Sequence, residues 1–204
     1  MTSVRVKICG ITRAPDLRAA VRAGADALGF VFAERSKRCL DSALAAELAS
    51  AVPAFVCRVG LFMDQDVAEV ERILDRVRLD LLQFHGSEDA EYCRQFGRPY
   101  LKAVSMAAPG AVTKAEAEYF DAAGLLLDSH QPGGLGGTGR VFDWASIPDA
   151  ALPLVLAGGL TPGNVREAVT AVRPWAVDVS SGVEDAPGVK NEELMLRFIS
   201  EAKQ

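Results

Sequence analysis

Eight short apolar runs, rich in β-branched residues and spaced by amphipathic stretches from one end of the chain to the other, constrain the fold more than any other feature. They are Val4–Cys9, Ala27–Phe32, Phe55–Phe62, Leu79–His85, Tyr100–Ser105, Gly124–Ser129, Leu152–Ala157 and Trp175–Ser180. Each has the length of a strand and lies between helical patterns. Val67, Val70, Leu74 and Val77 mark one apolar helix face, and Leu194, Met195, Phe198, Ile199 and Ala202 mark another. Thr161-Pro162 reads as an N-cap followed by proline at the first helical position, and Ser87 before Glu88-Asp89 as a second helix start. Helix is expected but loosely specified over 107–120, and only a short one over 143–149.

Strands that alternate with helices call for parallel βαβ units, because a parallel strand must return through a crossover. Eight such units in 204 residues predict an α/β fold, a single-domain (β/α)₈ TIM barrel spanning 1–204. A doubly wound open sheet would use fewer strands, and no strand here runs into a GxGxxG turn. Nothing in the chain reads as a linker or a low-complexity tract.

Alternation along each strand separates the barrel interior from the face that packs on helices. In the first run Val4, Val6 and Ile8 oppose Arg5, Lys7 and Cys9; in the fourth Leu82 and Phe84 oppose Leu81, Gln83 and His85. In the sixth Leu125 and Leu127 oppose Leu126 and Asp128, and in the eighth Val177 and Val179 oppose Asp178 and Ser180. The interior set grows polar toward the C-terminal ends of the strands, where this fold builds its sites. Cys9, last in its strand and followed by Gly10, and Asp128 are the polar strand-end residues expected to belong to the site. Cys39, Cys57 and Cys93 are read as small core residues.

Glycine-rich segments follow the last three runs: 133–139 with Gly136 and Gly137, then Gly158-Gly159-Leu160-Thr161-Pro162, then Ser180-Ser181-Gly182-Val183-Glu184. Glycine lets backbone N–H groups close on an anion, and the loops after strands seven and eight are the usual phosphate site of a barrel. Gly136, Gly137, Gly158, Gly159, Ser180, Ser181 and Gly182 are the expected phosphate contacts.

Composition narrows the partners. A net charge of −5 and a pI near 5.1 leave no basic excess for a nucleic acid or an anionic membrane, though local cations can still meet one small anion. No apolar run approaches the ~20 residues of a membrane span, and the start lacks a signal-peptide core. Four scattered cysteines without CxxC spacing suit neither a disulfide framework nor a zinc site, so a cytoplasmic protein without a metal is expected.

Taken together, these segments resemble the phosphoribosylanthranilate isomerases of tryptophan biosynthesis. The resemblance is carried by Lys7-Ile8-Cys9-Gly10-Ile11-Thr12-Arg13, Gly24-Ala25-Asp26-Ala27-Leu28-Gly29-Phe30-Val31-Phe32, Ser36-Lys37-Arg38, Gln83-Phe84-His85-Gly86 and Leu127-Asp128-Ser129. It continues through 136–139, 156–165 and Asp178-Val179-Ser180-Ser181-Gly182-Val183-Glu184. It implies an isomerase that uses no cofactor and performs an Amadori rearrangement, with Asp128 as general acid and Cys9 as general base. Arg38 would hold the anthranilate carboxylate, with His85, Gln83 and Asp178 as further substrate-binding or ordering residues. An acid working near neutrality calls for a raised Asp128 carboxyl, and a basic Cys9 calls for thiolate character that Lys7 would promote. Lys7 is alternatively the partner of Asp178 in an interior ion pair. The molecule is expected to act as a monomer or homodimer on a phosphorylated small molecule.

Other readings are a sugar-phosphate epimerase, an indole-forming lyase or synthase, and a catalytically silent sugar-phosphate-binding barrel. With only His85 and His130 present, a histidine-ligated metal epimerase is disfavoured. Cys9 and Asp128 stand where a lyase or synthase would place lysines and glutamates.

Overall fold

The computed structural model describes residues 3–129, 144 and 147–204. Eight parallel strands close into one barrel in sequence order, with β8 returning to pair with β1. They are β1 (Arg5–Cys9), β2 (Ala27–Val31), β3 (Cys57–Phe62), β4 (Leu81–Phe84), β5 (Tyr100–Ser105), β6 (Gly124–Asp128), β7 (Leu154–Leu156) and β8 (Ala176–Val179). All eight expected runs are therefore strands, β5 with the expected bounds and the other seven trimmed at one or both ends. The runs of β4 and β7 lose three residues each, and that of β3 loses two at its start, where Phe55 takes φ +69° and sits fully exposed in a turn instead of extending the strand.

The outer layer among the described residues comprises α1 (Ala14–Ala23), α2 (Ser42–Ser50), α3 (Val67–Leu74), α4 (Ala90–Arg94), α5 (Ala111–Glu118), α6 (Val165–Val172) and α7 (Glu192–Ala202). Strand parity falls as the sequence predicts. Val6, Ile8, Leu28, Phe30, Phe62, Leu82, Phe84, Leu125 and Val177 are fully buried in the main core, which includes residues of the helices. Each such side chain contributes about 1.5–3 kcal/mol over its exposed state. Stacked and edge-on rings join Phe32, Phe62 and Phe84 to Tyr92, Phe96 and Tyr100 beneath α4. A second cluster of Leu101, Leu126, Val155, Ala157 and Ala176 comes from the interior-facing positions of β5 to β8. Packed side chains thus fill the barrel, leaving its C-terminal end as the place where polar groups open to solvent.

Two helix starts differ from expectation. Helix α6 begins at Val165, not after Thr161, because the Asn164 side chain turns back, accepting from the Thr161 N–H at 2.8 Å and donating to the Gly159 carbonyl at 3.0 Å. The 161–164 stretch is thereby held as a turn. Helix α4 is capped by Asp89, whose carboxylate accepts the Tyr92 N–H at 2.8 Å. Ser87 instead gives both its N–H and its hydroxyl to Asp64. A two-stranded antiparallel ribbon was not expected: β9 (Glu184–Ala186) pairs with β10 (Val189–Lys190) around Pro187-Gly188. The 107–120 interval does hold a helix, α5. The 143–149 interval lies mostly outside the described residues.

Candidate active site

A cavity of about 520 Å³ opens at the C-terminal ends of the barrel strands. Cys9, Arg38, Gln83, His85, Asp128, Gly158, Gly159, Asp178, Ser180, Ser181 and Gly182 all line it. Every candidate residue chosen from the sequence that is described thus reaches one space, although the chain separates the first from the last by most of its length. Gly136 and Gly137 lie outside the described residues, as does His130.

Cys9 ends β1 with its side chain inside the barrel beside Val31 and Ala33. Gly29 on the neighbouring strand makes the room: a Cβ there would sit 2.9 Å from the Cys9 sulfur and 3.2 Å from Lys7 Cε. One layer down, Lys7 Nζ donates to Asp178 Oδ1 at 2.9 Å, both groups being buried. Burial alone would favour the neutral amine, but Asp178 and Cys9 hold the ammonium well above its ordinary value.

The expectation of a thiolate at Cys9 is corrected here. Burial pushes the thiol up, the Lys7 charge pulls against it and Asp178 adds to the rise, so the net direction is upward. The Lys7 ammonium is largely committed to Asp178, and desolvation outweighs what remains of its field. Both sequence readings of Lys7, thiol neighbour and ion-pair partner, describe it at once.

Across the barrel mouth, Asp128 Oδ2 lies 3.2 Å from His85 Nε2. His85 Nδ1 stands 3.0 Å from the Gln83 amide nitrogen. With that amide as donor, Nδ1 accepts and Nε2 carries the hydrogen that faces Asp128. Gln83 and His85 share a strand face two residues apart, which is why parity found them together.

The glycine loops are shaped by close approach. Gly158 takes φ +78° and Gly159 φ +70°. A Cβ on Gly158 would meet the Ser129 nitrogen at 2.5 Å and Asp128 Oδ1 at 2.7 Å. Gly182 packs against the Leu160 carbonyl so tightly that any side chain would collide with it, which brings the loops after β7 and β8 together. Successive backbone N–H groups in such turns form an anion-binding concavity.

The rim carries residues that the sequence reading did not assign. Arg38 is bridged by Glu184, with Nε to Oε1 at 2.8 Å and a terminal nitrogen to Oε2 at 2.5 Å. Lys190 Nζ donates to the same Oε1 at 2.7 Å and to the Ser180 carbonyl at 3.1 Å. Burial opposes ionisation of Glu184, yet the Arg38 hydrogen bonds and the Lys190 charge outweigh it and hold the carboxyl below its ordinary range. No local pattern marks Lys190. Pro187-Gly188 is a readable turn signal, but which side chain it returns to the site is decided in three dimensions. Gly29 was legible in principle, since parity puts it on the interior of β2 next to Cys9.

Known proteins match this architecture over its whole length. A sequence model of the N-(5'phosphoribosyl)anthranilate (PRA) isomerase family fits residues 6–201. The chain belongs to the N-(5'-phosphoribosyl)anthranilate isomerase family. It is 56% identical over 203 residues to the enzyme of that name from Thiobacillus denitrificans, covering 98% of each chain. The solved phosphoribosyl anthranilate isomerase from Thermotoga maritima superposes with a TM-score of 0.90 at 41% identity, again over 98% of both chains. A further phosphoribosyl anthranilate isomerase structure, in complex with reduced 1-(o-carboxyphenylamino)-1-deoxyribulose 5-phosphate, has a TM-score of 0.84 at 38% identity and covers 98% of both chains. The barrel and the isomerase assignment implied by the sequence resemblance both stand with this membership. Among the described residues no helix is long and apolar enough to cross a membrane.

Proposed function

We propose that this chain converts N-(5'-phosphoribosyl)anthranilate to 1-(2-carboxyphenylamino)-1-deoxyribulose 5-phosphate, within tryptophan biosynthesis. Membership of the isomerase family supports the substrate and product. The observation that carries the assignment of residues is that Cys9 and Asp128 face one cavity whose rim is built from the Gly158-Gly159 and Ser180–Gly182 loops.

The reaction needs a proton placed on the furanose oxygen so that the ring opens to a Schiff base. Asp128 is the acid for that step, with its carboxyl oriented by His85. The cationic imine acidifies the C2–H bond of the sugar. Cys9 takes that proton in its thiolate form, the minor one in this buried site, giving an enolamine. Tautomerisation of the enolamine, which gains a proton at C1 and loses one from the C2 hydroxyl, then yields the ketone, so hydrogen moves between carbons and no external oxidant or reductant is consumed. Arg38 receives the anthranilate carboxylate, since a guanidinium presents two parallel donors to it. Gln83 and Asp178 order His85 and Lys7 respectively. The phosphate sits on the glycine and serine loops, where backbone N–H groups and glycine conformations favour a small anion.

We further read residues 1–204 as one domain acting in the cytoplasm, a reading supported by four free thiols. The test is a direct isomerase assay in which loss of substrate fluorescence is followed on phosphoribosylanthranilate generated in situ. Cys9→Ser and Asp128→Asn should each lower turnover by about 10²-fold or more, while binding of inorganic phosphate persists. A silent wild-type protein rejects the reaction, and near-wild-type turnover in either variant rejects that residue's role.

A further inference from the structure

The reaction uses Arg38 but gives no purpose to Glu184 and Lys190, the two buried charges clustered with it on the rim. The members of this cluster come from three places: Arg38 from the loop after β2, Glu184 from the start of β9, and Lys190 from β10. All three are withdrawn from water, with side-chain exposures of 14%, 4% and 0%. A buried carboxylate between two cations is costly to assemble, and charge clusters of this kind concentrate at functional sites.

The geometry of the bridge suggests what it does. A guanidinium has two edges that can grip a carboxylate, one formed by Nε with one terminal nitrogen and the other by the two terminal nitrogens. Glu184 takes the first edge, with contacts of 2.8 and 2.5 Å. The second edge is not used by Glu184, and Arg38 lines the cavity. The stem has little latitude: Gly10, at φ +77°, leaves space where any Cβ would meet Arg38 Cδ at 2.4 Å. Glu184 is itself held, accepting Lys190 at 2.7 Å and the Gly188 N–H at 3.3 Å. Lys190 is anchored in turn by the Ser180 carbonyl and hydroxyl.

We propose that Glu184 is a specificity-determining positioning residue, which occupies one edge of Arg38 so that the other is presented to the carboxylate of the substrate's aryl group, with Lys190 balancing its charge. This rests on the reading that Arg38 receives that carboxylate. The cluster keeps a net charge of +1, enough to match one carboxylate, while the second cation is spent on Glu184. A purely electrostatic role predicts the opposite behaviour: removing the Glu184 charge would leave Arg38 and Lys190 both uncompensated and strengthen binding of any anion.

The experiment compares kcat/KM for N-(5'-phosphoribosyl)anthranilate with that for N-(5'-phosphoribosyl)aniline, which lacks the carboxylate, in wild type, Arg38→Met, Glu184→Gln and Glu184→Asp. Wild type should prefer the carboxylated substrate, and Arg38→Met should erase that preference. Glu184→Gln should reduce it by about tenfold or more, the scale of losing a charge-assisted hydrogen-bonded pair. The loss should fall mainly on KM of the anthranilate substrate, with turnover of the aniline substrate changed far less. Glu184→Asp keeps the charge but shortens the reach, so an intermediate preference is expected even if the glutamine variant folds poorly. A preference retained in both Glu184 variants but erased in Arg38→Met overturns the role of Glu184 alone. A preference retained in Arg38→Met overturns the carboxylate reading beneath it. Tighter binding of the anthranilate substrate by Glu184→Gln also overturns the proposal, in favour of simple charge balance.

Discussion

Breaking the Lys102–Glu88 pair tests whether the wall of the active site stands on a buried charge contact. Lys102 faces outward from β5 and is 4% exposed; Glu88, in the loop between β4 and α4, is 6% exposed. Lys102 Nζ donates to Glu88 Oε2 at 2.9 Å and to the Gly86 carbonyl at 2.7 Å. The Glu88 carboxylate also accepts the Asp64 and Gly86 N–H groups, both at 2.8 Å. The loop held in this way begins at His85. Removing one member of a buried pair typically costs about 3–5 kcal/mol. Lys102→Met should fall near the lower end, roughly 3 kcal/mol, because the carboxylate keeps two N–H donors. Glu88→Leu should cost more, since it strands the ammonium and also orphans two backbone N–H groups at about 1–3 kcal/mol each. The double variant should recover part of the Glu88→Leu loss, because no buried charge then remains. For a chain of this length each kcal/mol moves Tm by about 2–4 °C, so Lys102→Met should melt about 6–12 °C lower. Urea unfolding followed by circular dichroism gives the free energies, and a thermal scan gives the shift. A loss below about 1 kcal/mol for Lys102→Met, or a smaller loss for Glu88→Leu than for Lys102→Met, refutes the reasoning.

Two further outcomes follow from the site. Gly29→Ala places a methyl 2.9 Å from the Cys9 sulfur. It should cost about 1–3 kcal/mol of stability and depress turnover more than substrate binding, measured by denaturant unfolding and steady-state kinetics. Cys9 is raised above its ordinary value by burial, so the reactive thiolate is the minor form at neutrality and its population grows as pH rises toward the folded-state value. Alkylation of Cys9 by iodoacetamide, read by peptide mass, should therefore be slow near neutrality and still accelerating above about pH 8.5, the ordinary cysteine value. A rate that levels off below neutrality would show a low-pKa thiolate instead.

Much of this molecule was legible in the chain. Eight apolar runs at βα spacing specify a barrel because each strand buries one face on helices and the other on its neighbours' interior side chains. The alternation in Lys7-Ile8-Cys9 and Gln83-Phe84-His85 assigns those faces residue by residue. What failed was local. Thr161 and Ser87 have the chemistry of helix caps, and Thr161 Oγ1 does accept the Gly163 N–H at 3.2 Å, but Asn164 and Asp89 hold the N-cap positions while Ser87 donates to Asp64, an outcome invisible until the loops are folded.

Periodicity could place Cys9 and Asp128 at strand ends inside the barrel, while their pairing as base and acid came only with the family resemblance. Neither determines their environment. Whether Lys7 lowers the thiol or spends its charge on Asp178 depends on a 2.9 Å contact between strands β1 and β8, which lie at opposite ends of the chain and meet only on closure. Arg38 likewise reads as one of three basic residues between 35 and 38 until the β9–β10 ribbon brings Glu184 and Lys190 against it. Periodicity is a property of neighbours along the backbone. Electrostatics is a property of neighbours in space, and closure of the barrel decides who they are.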